Sequence, residues 1–116
     1  MPALNFQERF AEDVELGRKR QTIRKKRRFP VRPGDRLALF AGMRTKGCRR
    51  LREARCVDVK HVSIGREAAV VDGVPTLDEW ERDEFARADG FVDWAELVEW
   101  FEMAHGLPFR GVLIKW

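Results

Sequence analysis

At 116 residues, with 44% apolar and 36% charged residues, the chain is long enough for one domain and too short for several. Eight Phe and four Trp can supply a hydrophobic core, which excludes a disordered chain. No apolar run approaches the roughly 20 residues that span a bilayer, so we expect no membrane segment.

The cysteines and the first residues predict a reduced, cytoplasmic protein. Cys48 and Cys56 form no C-x-x-C pair, and only His61 and His105 could join them as metal ligands. A structural zinc site needs four ligands at closer spacing, so the sequence predicts no metal and no cofactor. Residues 1–5 have neither the basic nor the apolar region of a secretory signal.

The charges are distributed unevenly along the chain. Residues 18–55 hold 16 Lys and Arg but only two acidic residues. Residues 1–17 and residues 56–116 are both net acidic, which leaves a formal net charge of +4. Such an asymmetry concentrates positive potential on one part of the surface, so we expect a nucleic acid or a nucleotide as partner. A solvated basic loop is the alternative.

The N-terminal part of the chain predicts a helix followed by a strand. Asn5 with Glu8 has the spacing of a capping box, and Gly17 stands where the helix would end. Apolar residues recur between them every four positions, which predicts a helix over residues 6–16. The β-branched residues of segment 21–24 then favour a strand or an extended loop.

The middle of the chain predicts strands. Residues 33–35 form a Pro-Gly-Asp turn, and segment 36–42 has the pattern of a strand buried on both faces. Segment 55–64 predicts a second strand, with a bulge near Lys60 and His61 where its apolar phase slips. A third short strand is predicted over residues 68–71.

Two helices and a last strand complete the predicted fold. Thr76 with Glu79 predicts the start of a helix over residues 77–88, with Leu77 and Trp80 facing inward. Asp93 with Glu96 predicts a helix over residues 94–104. Residues 110–116 then form the last strand, so we expect an α+β fold: a small, mostly antiparallel barrel with flanking helices.

The segment Gly17–Arg24 carries the pattern G-x-K-x-x-T-x-R, which resembles the signature of the ASCH domain family. Residues 33–35 stand where that family has a Gly-Asp turn, and residues 85–91 resemble its acidic segment. Residues 105–116 resemble the C-terminal strand of small bacterial and phage members, so the resemblance covers nearly the whole chain as one ASCH domain over residues 1–116.

The resemblance implies a PUA-like barrel that binds RNA or nucleosides in a cleft lined by the signature. One small bacterial group of the family hydrolyses the acetyl group from N(4)-acetylcytidine. When the roles in that group are transferred to the matching positions of this chain, the resemblance implies that Lys19 is the proton acceptor and Thr22 the nucleophile. It implies that Asp89 is the proton donor, where the family has a Glu. The alternatives within the family are a non-catalytic RNA-binding module and a ribonuclease.

The residue types alone leave each of these roles open. A threonine hydroxyl needs an adjacent base, and Lys19 can be that base only as a neutral amine, which nearby arginines and burial favour. Lys19 could instead be a phosphate-binding ammonium, Thr22 a strand residue, and Asp89 a solvated or capping carboxylate. Glu67 and Glu84 are rival acids, whereas His61 and His105 are expected to be structural.

The positive charge falls in two basic runs: the first spans residues 18–32 and holds nine Lys and Arg, and the second spans residues 44–55 and holds six. A free nucleoside does not require such a surface, whereas an RNA backbone does. The sequence therefore predicts an RNA-binding or substrate-binding set drawn from both runs: Arg18, Arg20, Arg24, Arg49, Arg50 and Arg52. It leaves the oligomeric state open.

Overall fold

The computed structural model describes residues 1–116 as eight strands and three helices. The strands are β1 (Ala3–Phe6), β2 (Gln21–Arg24), β3 (Arg36–Ala41), β4 (Arg49–Arg55), β5 (Asp58–Ile64), β6 (Ala69–Val71), β7 (Val74–Pro75) and β8 (Phe109–Lys115). The helices are α1 (Glu8–Glu15), α2 (Glu79–Ala88) and α3 (Trp94–His105). None of the helices is long and apolar enough to cross a membrane.

The strands form two mostly antiparallel sheets, which confirms the α+β class. One sheet has the order β1-β3-β4 and the other the order β2-β8-β5-β6-β7. The β1–β3 pair is parallel, and every other pair is antiparallel. No strand pairing joins the two sheets into a closed barrel.

One hydrophobic core serves both sheets and all three helices. Its 24 buried residues form a single cluster. Leu39 of β3 and Ile114 of β8 bring the two sheets into it, and Leu97 brings α3. Burying each such side chain contributes about 1.5–3 kcal/mol. The shared core holds the helices against the sheets and so fixes the cavity described below.

Several local predictions are confirmed. Helix α1 lies within the predicted range, and Gly17 follows it with a φ of +78°, a left-handed conformation that suits glycine. The side chain of Asp93 caps α3 by accepting a hydrogen bond from the Glu96 backbone N–H. Strand β3 is buried apart from exposed Arg36 and half-buried Phe40.

The residue that caps each of the first two helices was predicted wrongly. Asn5 lies in strand β1, and the residue before α1 is Gln7, whose side chain makes no cap bond. Asp78 rather than Thr76 caps α2. The helix therefore begins after Leu77, which is 77% exposed, and Trp80 in its first turn is 68% exposed.

The strand predicted over residues 55–64 is confirmed as β5, although it begins at Asp58, and strand β4 before it was not predicted. Strand β4 ends at Arg55, and β5 runs without a break in register against β8. The bulge predicted near Lys60 and His61 is absent, and the irregularity lies between Leu39 and Phe40, where β3 pairs with β4. The second basic run thus supplies a whole strand of the smaller sheet.

Position 111 of β8 requires glycine, because the backbone at the end of β2 lies too close to it for a side chain. A Cβ atom at this position would meet the backbone oxygen of Arg24 well inside van der Waals contact. We expect Gly111→Ala to destabilise the protein by about 1–3 kcal/mol, the usual cost of overpacking, because backbone must move. Urea unfolding measures this.

Gly65→Ala is the matched control for that substitution. Its Cβ would lie 3.8 Å from the Ala68 backbone oxygen, an ordinary contact, and Gly65 does not have a positive φ. We expect its free energy of unfolding to stay within about 0.5 kcal/mol of the wild type. Equal stability of the two variants would contradict the proposed constraint.

Candidate functional site

A cavity of about 300 Å³ lies between β1, α1, β2, the turn after α2, and α3. Four residues of the predicted site line it: Lys19, Thr22, Arg24 and Asp89. The first three come from one short segment, whereas Asp89 arrives from the far end of α2. The structure therefore brings together the three predicted catalytic residues and one predicted binding residue.

Lys19 is the most buried cation at this cavity, with 2% of its surface exposed. Its Nζ donates hydrogen bonds to the backbone oxygens of Gln21 (2.7 Å) and Asp89 (2.6 Å). The Oδ1 atom of Asp89, itself 5% exposed, lies 3.5 Å from Nζ and completes a buried ion pair. Two N–H groups of Lys19 thus donate to backbone carbonyls, and the same nitrogen is also close to the Asp89 carboxyl.

The end of α1 positions the Lys19 backbone. The N–H groups of Arg18 and Lys19 both donate to the Asp13 backbone oxygen, at 2.8 and 2.9 Å. These bonds close the last turn of the helix and direct the chain into β2. The lysine position is therefore set by local sequence, as the short signature spacing requires.

The end of α2 positions Asp89, and Gly90 allows its close approach. Gly90 has a φ of +97°, and a Cβ there would lie 2.8 Å from Phe10 Cδ1 and 3.1 Å from Lys19 Cδ. Only glycine leaves room for α1 and the end of α2 to meet at this point. The contact between two elements distant in sequence depends on this missing side chain.

Burial moves the protonation equilibria of both groups toward the uncharged forms. Desolvation lowers the pKa of Lys19, while the opposing attraction of the Asp89 carboxylate raises it. Desolvation likewise raises the pKa of Asp89 against the attraction of Lys19. The Phe10 ring, with its centroid 5.1 Å from Nζ, adds a cation–π contact to the charged amine. Burial thus favours the neutral amine and the neutral carboxyl, against the attraction between their charged forms, at one end of the cavity.

Arg24 and Thr22 form a second polar unit of the cavity. The Nε of Arg24 donates to Thr22 Oγ1 (3.0 Å), and another guanidinium nitrogen donates to the Asn5 backbone oxygen (2.6 Å). The guanidinium also lies 4.8 Å from the centroid of the Phe6 ring. Burial lowers the pKa of Arg24. A cationic donor on Oγ1 favours the alkoxide form of the threonine, but Lys19 makes no hydrogen bond with that oxygen.

Aromatic rings also line the cavity, which no sequence pattern had indicated. Phe10 packs edge-on against Phe91 (5.4 Å between centroids), and Phe91 packs against Trp100 (5.9 Å). Trp100 in turn contacts His105, whose pKa is lowered by burial and by the Lys25 cation. The helical spacing of Phe6 and Phe10 indicated a core stripe, and no sequence signal showed that their rings also line a cavity.

Five of the arginines predicted to bind RNA do not line the cavity: Arg18, Arg20, Arg49, Arg50 and Arg52. Arg18 pairs with Asp13 (2.8 Å), and Arg49 pairs with two glutamates of α1 at 3.1 and 3.3 Å. Arg50 pairs with Glu53 (3.1 Å). Carboxylates of the net acidic N-terminal segment thus neutralise part of the basic runs.

The rival residues lie elsewhere, apart from His105. Glu67 and Glu84 are exposed and do not line the cavity. His61 is exposed on β5, away from this site. The His, Cys, Asp and Glu side chains form no group of three or more that could hold a metal ion.

Comparison with known proteins gives no relative for this chain. No family model, no curated protein and no solved structure matches it. The assignment to the ASCH family therefore stays a prediction, which rests on the signature segment Gly17–Arg24 and the later segments that resemble the family.

The raised pKa of Asp89 predicts how stability depends on pH. The folded protein holds this proton to a higher pH than the unfolded chain, whose carboxyl titrates near 3.8. The stability that the protonated carboxyl contributes is complete below that pH and is lost as the pH rises through the folded pKa. We therefore expect the free energy of unfolding of the wild type, relative to Asp89→Asn, to fall as the pH rises above 3.8 and through the higher pKa of the folded protein.

Urea unfolding at each pH measures this difference. Glu67→Gln is the control, because Glu67 is exposed and forms no ion pair or side-chain hydrogen bond. Its difference from the wild type should be nearly independent of pH. A difference between wild type and Asp89→Asn that rises with pH would contradict the assignment.

Proposed function

We propose that the cavity binds a nucleoside, free or within RNA, and hydrolyses an acyl group from its base, as in N(4)-acetylcytidine. One observation carries the proposal: buried Lys19 and Asp89 converge with Thr22 and Arg24 on a cavity that has aromatic walls. Its volume of about 300 Å³ is at the small end of ligand sites, which suits a single base or nucleoside.

The family resemblance supports the same proposal from the sequence. We propose that residues 1–116 are one ASCH domain and that the two sheets correspond to an open form of the PUA-like barrel. The signature residues Lys19, Thr22 and Arg24 line the cavity that the resemblance would make the substrate cleft. The cytoplasmic location is part of this proposal.

The proposed reaction begins with attack of Thr22 Oγ1 on the acyl carbonyl carbon. Neutral Lys19 accepts the hydroxyl proton. Arg24, already a donor to Oγ1, stabilises the negative charge on that oxygen as the proton leaves. A C–O bond forms, and the C–N bond to the base breaks as Asp89 gives its proton to the leaving nitrogen. The products of this step are the free exocyclic amine and an acyl-threonine ester.

Water completes the cycle by attacking that ester. A bond forms between the water oxygen and the acyl carbon, and the ester bond between that carbon and Thr22 Oγ1 breaks. One proton of the water goes to Oγ1, which restores the hydroxyl, and the other leaves with the carboxylic acid. The proton that Lys19 accepted returns to Asp89 across the 3.5 Å ion pair, so both groups regain their starting forms. Each acyl transfer thus consumes one water, and the lysine and the aspartate act as one acid–base pair.

A second candidate function is a non-catalytic RNA-binding module that uses the same cavity. One observation favours it: Lys19 donates to two backbone carbonyls, and Thr22 Oγ1 is hydrogen bonded to Arg24 rather than to Lys19. Nucleophile and base would have to move into contact when substrate enters. In the binding module, Lys19 would donate to the base and Arg24 would hold a phosphate.

Lys19→Arg tests the base directly. A guanidinium stays protonated at any usable pH, so we expect no measurable release of acetate from N(4)-acetylcytidine, followed by liquid chromatography. Lys60→Arg is the matched control, because Lys60 lies on β5 outside the cavity. It should keep wild-type activity. Full activity of Lys19→Arg, once shown to fold by circular dichroism, would exclude Lys19 as the base.

Thr22 and Asp89 are tested by pairs of conservative substitutions. Thr22→Val should abolish hydrolysis, whereas Thr22→Ser should retain part of it, because serine keeps the attacking oxygen. Asp89→Asn should lower kcat by a factor on the order of 10² to 10⁴, the contribution of a positioned general acid. If the wild type binds cytidine but releases no acetate, the protein is the binding module.

A further inference from the structure

A second depression, the basic groove, opens directly beside the cavity. Its volume is about 620 Å³, and it shares three lining residues with the cavity: Asn5, Arg24 and His105. Its own cations are Lys25, Arg27 and Arg44. A ligand that leaves the cavity past Arg24 therefore enters the basic groove without crossing other surface.

The cations of the basic groove are free of carboxylates. Lys25, Arg27 and Arg44 are exposed, and none forms an ion pair within the protein. No Asp or Glu lines the groove. Arg49 and Arg50, by contrast, are paired with glutamates. The unpaired positive charge next to the cavity is thus available for an anion.

The turn that carries Arg44 is fixed by hydrogen bonds. The hydroxyl of Thr45 donates to the Gly42 backbone oxygen (2.6 Å), and the Met43 N–H donates to Asn5 Oδ1 (3.0 Å). Arg44 itself has a φ of +66°, a left-handed conformation that is costly for residues other than glycine. Arg44 thus lies at the groove in a strained backbone conformation. Its turn is linked by a hydrogen bond to Asn5, which also lines the cavity.

We propose that the basic groove binds the phosphate of a nucleotide whose base occupies the cavity. The inference rests on the proposed function and names its substrate class: a phosphorylated nucleoside, rather than a free one. The phosphate can come from a free mononucleotide or from an RNA strand. Lys25, Arg27 and Arg44 pair with the phosphate oxygens, and the remaining N–H groups of Arg24 bridge the two sites.

Calorimetry with four probes tests the proposal in wild-type protein: cytidine, cytidine 5′-monophosphate, ribose 5-phosphate and a single-stranded oligocytidylate of about eight nucleotides. We expect the monophosphate to bind at least about tenfold more tightly than cytidine, with a preference that shrinks as salt is raised. Similar Kd values for the monophosphate and the oligonucleotide indicate a free nucleotide. A much lower Kd for the oligonucleotide indicates that the ligand is an RNA strand.

Substitutions locate the phosphate site. The triple variant Lys25→Ala, Arg27→Ala, Arg44→Gly removes three charges, and glycine suits the left-handed φ of position 44. It should lose the preference for the monophosphate while keeping the Kd for cytidine. The control triple, Arg55→Ala, Arg87→Ala, Arg110→Ala, removes equal charge from exposed positions outside both sites and should bind like the wild type.

The outcomes separate this inference from the proposed function. Equal Kd values for cytidine and its monophosphate in the wild type overturn the phosphate site and leave the nucleoside cavity standing. If ribose 5-phosphate binds as tightly as the monophosphate, the base contributes nothing to binding. That result supports the phosphate site and contradicts the nucleoside cavity. An equal loss of monophosphate binding in the control triple means general charge attraction and overturns the basic groove.

Discussion

The buried pair of Lys19 and Asp89 is the constraint on which the candidate site depends. Removing both groups from water costs several kcal/mol per ion, and one ion pair with two carbonyl bonds offsets only part of that cost. An apolar pair of similar volume would serve the fold as well or better. Buried ionisable groups with pKa values shifted toward neutrality, at the end of a cavity, are typical of functional sites. Phe10 and Gly90 are arranged around this pair.

Local chemistry could be predicted from the sequence because it depends on neighbours in the chain. The spacing of Lys19, Thr22 and Arg24 places one residue in the loop after α1 and two on a four-residue strand, so their proximity follows from the signature itself. The cap of α3 at Asp93 is equally local. Asp89 was placed at the site by resemblance alone, since nothing in its own surroundings indicates a partner 70 residues earlier in the chain.

The remaining features depend on contacts between distant segments, which a single sequence does not encode visibly. The parallel pairing of β1 with β3 turned a predicted helix cap, Asn5, into a strand residue whose side chain ties down the turn at Met43. The basic runs were predicted to bind RNA by their density, yet Arg49 folds back onto glutamates of α1. Counting charges along the chain cannot show which cations the fold neutralises.

The cations of the basic segments therefore fall into two groups, those paired with carboxylates and those without an acidic partner. Arginines paired with α1 carboxylates on the protein surface contribute little net field and little stability, because solvent screens exposed pairs. The cations of the basic groove are also exposed, but they pair with no carboxylate and so keep their charge for an anion, whereas Arg24, which lines both the groove and the cavity, is partly buried and less screened. The same exclusion of water that lowers the pKa of Lys19 therefore strengthens the attraction of Arg24 for an oxyanion or a phosphate. One desolvated region thus prepares both the proton transfer and the binding of negative charge.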